Sequence, residues 1–539
     1  MALFRSAATV SSFTLLSRIT GLIRDILIAR AFGAGALTDA FWVAFRIPNL
    51  LRRLFAEGAF AQAFVPILGA TRNQHGEAEV RVLLDRVALL LTAVLMTVTV
   101  IGIVAAPWVV SAMASGLRDS GRGTEFGAAV WMTRVMFPYI LCMSLIAFAS
   151  GVLNTWRKFA VPAFTPVLLN LAMICAAIWL APRMDVPIYA LSIGVMAGGV
   201  AQLAVQWIAL GRLGLTPRLS FKLGQAWRDA TVQHILRQMV PAILGVSVAQ
   251  ISLLINTNIA TWLAPGSVTW LSFADRLMEF PTALLGVALG TVLLPSLSAA
   301  HARQDHDTYN GLLDWGLRLI LLLGLPAALG MMMLADGLVA TLFHYGEFGA
   351  ADVAQTRVAV MAYSVGLIGL LAVKILAPGF YAQQNIRTPV KIAVLVLVLT
   401  QVLNAILVPT LAHAGLALAI GLGACLNALL LLLGLRRRGV YRPGQHWGRF
   451  LLRLIPSLAA LGAVLWVADS RLDWIALGQT PACGRPGLAP SWLPAPRPIS
   501  GCCSSWESAR ATSPAALAET ARGSGKSPGK GRSYKTQPN

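Results

Sequence analysis

The sequence predicts an all-α polytopic membrane protein, with two six-helix lobes around a central cavity and an additional C-terminal helix. Three observations predict it. The 539 residues are 57% hydrophobic and only 12% charged, more apolar surface than one soluble core of this length can bury. Apolar runs recur at about 20 residues, the length that spans a bilayer as helix. Lysine and arginine concentrate in alternate loops, as the positive-inside rule requires of a multi-pass chain.

Taken in order, the runs give thirteen spans at roughly 9–32, 37–68, 84–110, 128–154, 160–181, 187–210, 237–263, 269–298, 314–335, 356–382, 389–410, 413–435 and 449–468. The first two are the least hydrophobic, because they carry Arg18, Arg24, Asp25, Asp39, Arg46, Arg52, Arg53 and Glu57. Basic loops follow the even-numbered spans, from Arg72 and Arg81 after the second to Arg436, Arg437, Arg438 and Arg442 after the twelfth. The loop after the ninth, with Asp336, Glu347 and Asp352, has neither lysine nor arginine. The N-terminus is therefore expected in the cytoplasm. One early arginine, Arg5, and no small-residue cleavage site before the first span argue against a cleaved signal peptide.

Two segments repeat at an offset of about 228 residues: Gly151 to Pro162 echoes Gly379 to Pro389, and Phe64-Val65-Pro66 echoes Leu293-Leu294-Pro295. Six spans per half is an even number, so both halves share an orientation and are related by an axis along the membrane normal. The expected organisation is an N-terminal lobe 1–212, a cytoplasmic linker 213–236, a second lobe 237–437, a helical extension 438–478 and a tail 479–539. The tail is rich in proline, serine, glycine and basic residues, a disordered composition. Its abrupt onset also fits a reading-frame change that replaced one more helix.

Composition excludes several functions. The net charge of +21 sits in short loops facing lipid headgroups and does not mark a nucleic-acid site. Cys142, Cys175 and Cys425 lie singly in apolar runs and are small buried hydrophobes; no cysteine has metal-ligand spacing with histidine. The short basic loops offer no carboxylate-rich catalytic centre, so the chain is not expected to be an enzyme.

The informative residues are charges at bilayer depth. Each costs about 2.5–3.5 kcal/mol even on insertion scales, and persists where it meets a wet cavity or a partner. Arg18, Arg24, Arg52 and Arg276 are such residues, and guanidinium forks suit phosphate. Seven residues separate Arg18 from Asp25, nearly two turns, which places them on one face as mutual partners, with Arg24 pointing elsewhere. Arg53 and Glu57 are four apart and pair, which leaves Arg52 less neutralised. Pro48 kinks the second span just before Asn49. Arg276 stands beside Asp275 and Glu279. The plainer alternative, ion pairs or snorkelling, weighs most for Arg30, Arg46 and Arg53.

Long motifs in these spans resemble the MurJ (MviN) family, the lipid II flippases of bacterial peptidoglycan synthesis. They are Ser17-Arg-Ile-Thr-Gly-Leu-Ile-Arg-Asp25, Thr38-Asp-Ala-Phe41, Arg46 to Ala59, Ala274-Asp-Arg-Leu-Met-Glu-Phe-Pro281 and Lys374-Ile-Leu-Ala-Pro-Gly-Phe-Tyr381, and the resemblance runs from residue 1 to about 475. It implies the multidrug/oligosaccharidyl-lipid/polysaccharide exporter fold, with fourteen helices in the family. It implies lipid II as cargo, its diphosphate held by Arg18, Arg24, Arg52 and Arg276. The family's acidic cavity positions fall on Asp39, Asp275 and Glu279, with Glu57 and Asn49 beside them. Membrane lipids and the peptidoglycan synthesis machinery are the implied partners, and alternating access is the implied motion; a membrane potential negative inside would help reset the empty carrier by drawing uncompensated positive groups inward. Spans 7 and 11 contain no Asp or Glu, only Asn256, Asn258, Thr400 and Asn404 as mid-span oxygen donors, which argues against sodium coupling. A carrier for another polyprenyl-diphosphate-linked saccharide, or a drug exporter of the same superfamily, is the alternative.

Overall fold

A computed structural model describes residues 2–51, 60–218, 223–444, 447–472 and 474, and among them every regular element is helical. The chain opens with α1 (Ala2–Phe32) and α2 (Ala36–Leu51), the latter containing Pro48. Next comes α3 (Ala61–Met113), whose 53 residues would measure about 80 Å if straight, far beyond a ~30 Å hydrocarbon layer. It turns instead at Gly76, where φ is +81°, a conformation open chiefly to glycine. The short α4 (Ser115–Asp119) leads to α5 (Gly123–Met136) and α6 (Tyr139–Thr155). Expected as one span, these two are separated at Pro138, which lacks the N–H a continuous helix needs.

The fifth span is α7 (Ala160–Cys175), prolonged by a π-helical segment, Ala176–Leu180, and a 3-10 turn. It is followed by α8 (Tyr189–Arg212) and the short α9 (Leu223–Arg228). The second half comprises α10 (Ala230–Thr261), α11 (Ser267–Ala302), α12 (His306–Met333), α13 (Ala335–Phe343), α14 (Ala350–Tyr381), α15 (Arg387–Arg437) and α16 (Trp447–Arg471). The eleventh and twelfth expected spans are the two arms of α15, which reverses at Ala412 (φ +48°).

Eight helical stretches among the described residues are long and apolar enough to cross a membrane. With its serines, threonines and charges, α1 falls outside that group. In the first half α1 lies on α7, α2 on α5, and α8 on both α6 and α7. In the second, α14 is central and touches α11, α12, α13 and α15. The approach of α14 to α15 needs bare backbone, since a Cβ on Gly369 would come within 2.5 Å of Ala424 C. Between the halves, Trp42 of α2 meets Phe273 of α11 edge-on at 6.1 Å, and Phe273 stacks on Phe343 of α13 at 4.8 Å.

These helices belong to the first of two units, Met1–Gly484 and Arg485–Asn539. The expected tail 479–539 lies outside the described residues, as do Arg52, Arg53 and Glu57.

Candidate functional site

The charges of α1 meet those of α11 in one network. Arg24 donates from Nε and Nη2 to Asp25 Oδ1, at 2.9 and 2.6 Å, and from Nη1 to Asn170 Oδ1 of α7 at 3.0 Å. Arg276 takes the other carboxylate oxygen, Nε to Asp25 Oδ2 at 2.7 Å, and reaches Glu279 with Nη1 at 2.9 Å. Glu279 in turn lies 3.7 Å from Arg18. Asp25 and Arg24 are buried, whereas the side chains of Arg18 and Glu279 are 34% and 46% exposed. The network thus runs from a closed interior to an accessible edge, and among the described residues its ion pairs join three guanidinium groups to two carboxylates. One net positive charge remains at a place reachable by a ligand, which suits an anion.

Local sequence explains how the groups reach one another. Asn170 is a lone amide in an otherwise apolar stretch of α7, and its Nδ2 donates to Ser17 O and Thr20 Oγ1. That bond pins α7 against α1 beside the arginines. Opposite lies Gly21, where a Cβ would stand 2.6 Å from Arg276 Nη2, so the arginine passes across bare backbone.

A second contact joins the halves. The buried Asp39 carboxylate of α2 accepts from Gly266 N at 2.7 Å, Thr269 N at 2.8 Å and Thr269 Oγ1 at 2.6 Å. These are the orphan donors at the start of α11, so Asp39 serves as its N-cap from a different helix and opposes the positive end of its dipole. Gly266 has no side chain to do this itself and sits at φ +98°. Nearby, Trp270 donates to Asp352, Arg122 to Leu263 O, and Glu347 N to Arg30 O. On the next turns of α2, Arg46 donates to Thr257 of α10 and Ser272 of α11.

Of the residues singled out in the sequence, Arg18, Arg24, Arg276 and Glu279 come together, and Asp39 lies at the other contact between the halves. Asn49 is half-buried on α2, Asp275 is exposed on α11, and Arg52 and Glu57 are outside the described residues. One pairing differs from expectation. Asp25 bonds Arg24 and Arg276, not Arg18, because seven helical residues separate Cα atoms by about 10 Å along the axis. Helical phase put the two on one face but not within reach. Asn170, Gly21 and Arg46 with its hydroxyl partners were not expected at the site; the lone asparagine in an apolar span was the available signal for the first.

Among the described residues, no group of three or more histidines, cysteines, aspartates or glutamates could hold a metal ion. In the second half, Asn404 Nδ2 donates to Asn256 Oδ1 at 2.8 Å, and Thr400 Oγ1 donates to Val396 O of its own helix.

A family profile described as lipid II flippase MurJ matches residues 28–480. A protein of Burkholderia cenocepacia named lipid II flippase MurJ is 54% identical over 481 residues, 89% of this chain and 93% of that protein. A probable lipid II flippase MurJ of Vibrio cholerae is 40% identical over 482 residues, covering 88% of this chain and 91% of that one. Among solved structures, a lipid II flippase MurJ in an inward closed conformation superposes with TM-score 0.70 at 22% identity, covering 86% of this chain and 97% of that one. An inward-facing multidrug resistance MATE family transporter gives TM-score 0.64 at 15% identity, over 80% and 98%.

Proposed function

The chain belongs to the MurJ family of lipid II flippases, and on that premise we propose that it carries lipid II across the bacterial inner membrane by alternating access. The N-terminus lies in the cytoplasm on this reading, with cargo loaded there and released outside. The observation that carries the proposal is the charge network shared by the two halves, Arg24–Asp25–Arg276–Glu279–Arg18.

In the empty carrier Asp25 and Glu279 occupy the guanidinium groups. A diphosphate offers more charge and more acceptor oxygens than either carboxylate. It therefore takes over Arg18 and Arg276 at the accessible edge, with Arg52 joining from the second span. Disaccharide and peptide stay hydrated in the cavity while the prenyl chain stays in lipid. Moving Arg276 off Asp25 loosens the tie between the halves, which couples occupancy to rocking. The Asp39 cap on α11 holds the outer face shut until that motion breaks it. No bond in the cargo changes. Membrane potential resets the empty carrier by drawing the net positive cluster inward, without sodium.

The MATE-like neighbours raise drug export as a second reading, but a net positive site repels cationic drugs. Complementation of a flippase-depleted strain by the unmodified chain and by Arg18→Ala, Arg24→Ala, Arg52→Ala and Arg276→Ala tests the proposal. The parent should restore growth and the variants should insert but fail. Full rescue by all four would refute the site; drug resistance without cell-wall rescue by the parent would favour the second reading.

A further inference from the structure

A cavity of about 320 Å³ lies away from the charge network, between α12, α14 and α15. Its walls are Leu317 and Ile320 of α12, Ile368 and Leu376 of α14, and Ala428 and Leu432 of α15. Half-exposed Leu429 marks an opening to the protein surface. From Arg436 at the mouth to Ala428, eight residues of helix give a depth of about 12 Å. The size falls within the range of small-molecule sites, and the lining suits a hydrocarbon chain.

The mouth is built. Asp314 accepts from Tyr441 Oη at 3.0 Å, from Gly444 N at 3.4 Å and from Trp447 Nε1, and pairs with Arg318 at 2.6 Å. Arg318 also lies over the Trp447 ring at 5.3 Å. Burial, and then the Asp314 carboxylate, push the Tyr441 hydroxyl well above its usual range, so it remains a donor to that carboxylate. The one acid at the mouth is thus consumed by its neighbours. Arg436, the only charged residue among the described ones that line the cavity, is exposed and its side chain bonds no described residue. From Arg436 to Arg453 the chain has six arginines and no Asp or Glu.

An apolar slot beside a guanidinium that has no partner among the described residues suits an acyl chain under an anionic headgroup. We propose that this cavity binds an anionic glycerophospholipid from the leaflet at the α15–α16 connection, one acyl chain between α12, α14 and α15 and the phosphate on Arg436. The site is independent of the cargo network and rests on no reading of its chemistry.

Native mass spectrometry of the purified full chain, titrated with dioleoyl phosphatidylglycerol or dioleoyl phosphatidylcholine, tests it. The parent should retain at least one phosphatidylglycerol and little phosphatidylcholine. Arg436→Gln should weaken retention about fivefold, and Ala428→Phe, which fills the slot, should abolish it. Equal retention of the two lipids, or retention unchanged in Arg436→Gln, overturns the proposal. One-for-one displacement by undecaprenyl diphosphate also overturns it, since the slot would then hold a prenyl chain. Ala428 is buried, so a phenylalanine there can unsettle the fold; Arg436→Gln, on an exposed side chain, decides alone in that case.

Discussion

Arg276 and Asp25 are 251 positions apart, yet Arg276 Nε donates to Asp25 Oδ2 at 2.7 Å, across the two halves of the chain. The same guanidinium reaches Glu279 with a second nitrogen. Lysine has one nitrogen on a flexible stem and cannot span both acceptors, so Arg276→Lys should fail as Arg276→Ala does. Asp25→Ala is harsher for stability. It leaves the buried Arg24 without its carboxylate, and breaking a buried pair costs about 3–5 kcal/mol. Thermal unfolding in detergent should therefore show a clear drop for Asp25→Ala and a smaller one for Arg276→Lys, with both inactive in a lipid II translocation assay. An active Arg276→Lys would show that charge alone suffices.

Gly21 offers a test that separates function from stability. Replacing glycine by alanine inside a helix ordinarily stabilises by about 0.5–1 kcal/mol. Here the new methyl would stand 2.6 Å from Arg276 Nη2 and 3.5 Å from Asn170 Nδ2. The arginine tip must move, and its hold on Asp25 and Glu279 weakens with it. Gly21→Ala should lower translocation roughly tenfold or more, the worth of one charge-assisted bond, while the helix gain offsets part of that loss and the melting temperature falls less than in Arg276→Lys. Unchanged transport would mean the guanidinium relocates without cost.

The helical, membrane-spanning character was legible because it follows from bilayer thickness and local residue type, and the described parts of the expected spans fall largely on helical residues. The turns at Gly76 and Ala412 fall in the gaps expected between spans, the latter just after Pro409. The break at Pro138 was not expected, because the apolar run from 128 to 154 continues through it. The site divides in the same way. Arg18, Arg24 and Arg276 stood out as charges in oil, a property of single residues. Their partners are pairwise and long-range, so helical phase suggested Arg18 for Asp25 where Arg24 and Arg276 supply the bonds. Asp39 was marked only by family resemblance, and its use as a cap for α11 depends on a fold that brings Gly266 and Thr269 to it.

The loop before α12 carries a pH-sensitive cap. Asp305 accepts from Thr308 N at 3.0 Å, and that backbone bond holds its carboxyl below the usual 3.8. A depressed carboxyl stabilises the fold fully above its unfolded value and loses that contribution as pH falls through the folded one. The protection factor of the Thr308 amide should therefore hold down to about pH 4 and fall below it. In Asp305→Ala it should be low throughout. Protection in that variant equal to the parent's would show that α12 needs no cap.

Asp39 makes the sharpest conformational prediction. All three of its bonds go to the first turn of α11, so Asp39→Ala strips that helix of its N-cap, a loss of about 0.5–2 kcal/mol. The cap belongs to α2 of the other half, so the loss falls only on states in which the two halves touch at this face. By population arithmetic about 1.4 kcal/mol shifts such an equilibrium tenfold. Spin labels at the exposed Leu37 and Ala264 flank the contact. Distances between them should lengthen in a growing fraction of molecules from parent to Asp39→Asn to Asp39→Ala, because asparagine keeps one acceptor oxygen. A distribution unchanged in Asp39→Ala would mean that the aromatic contacts around Phe273 hold this face closed and that the carboxylate only tidies a helix end.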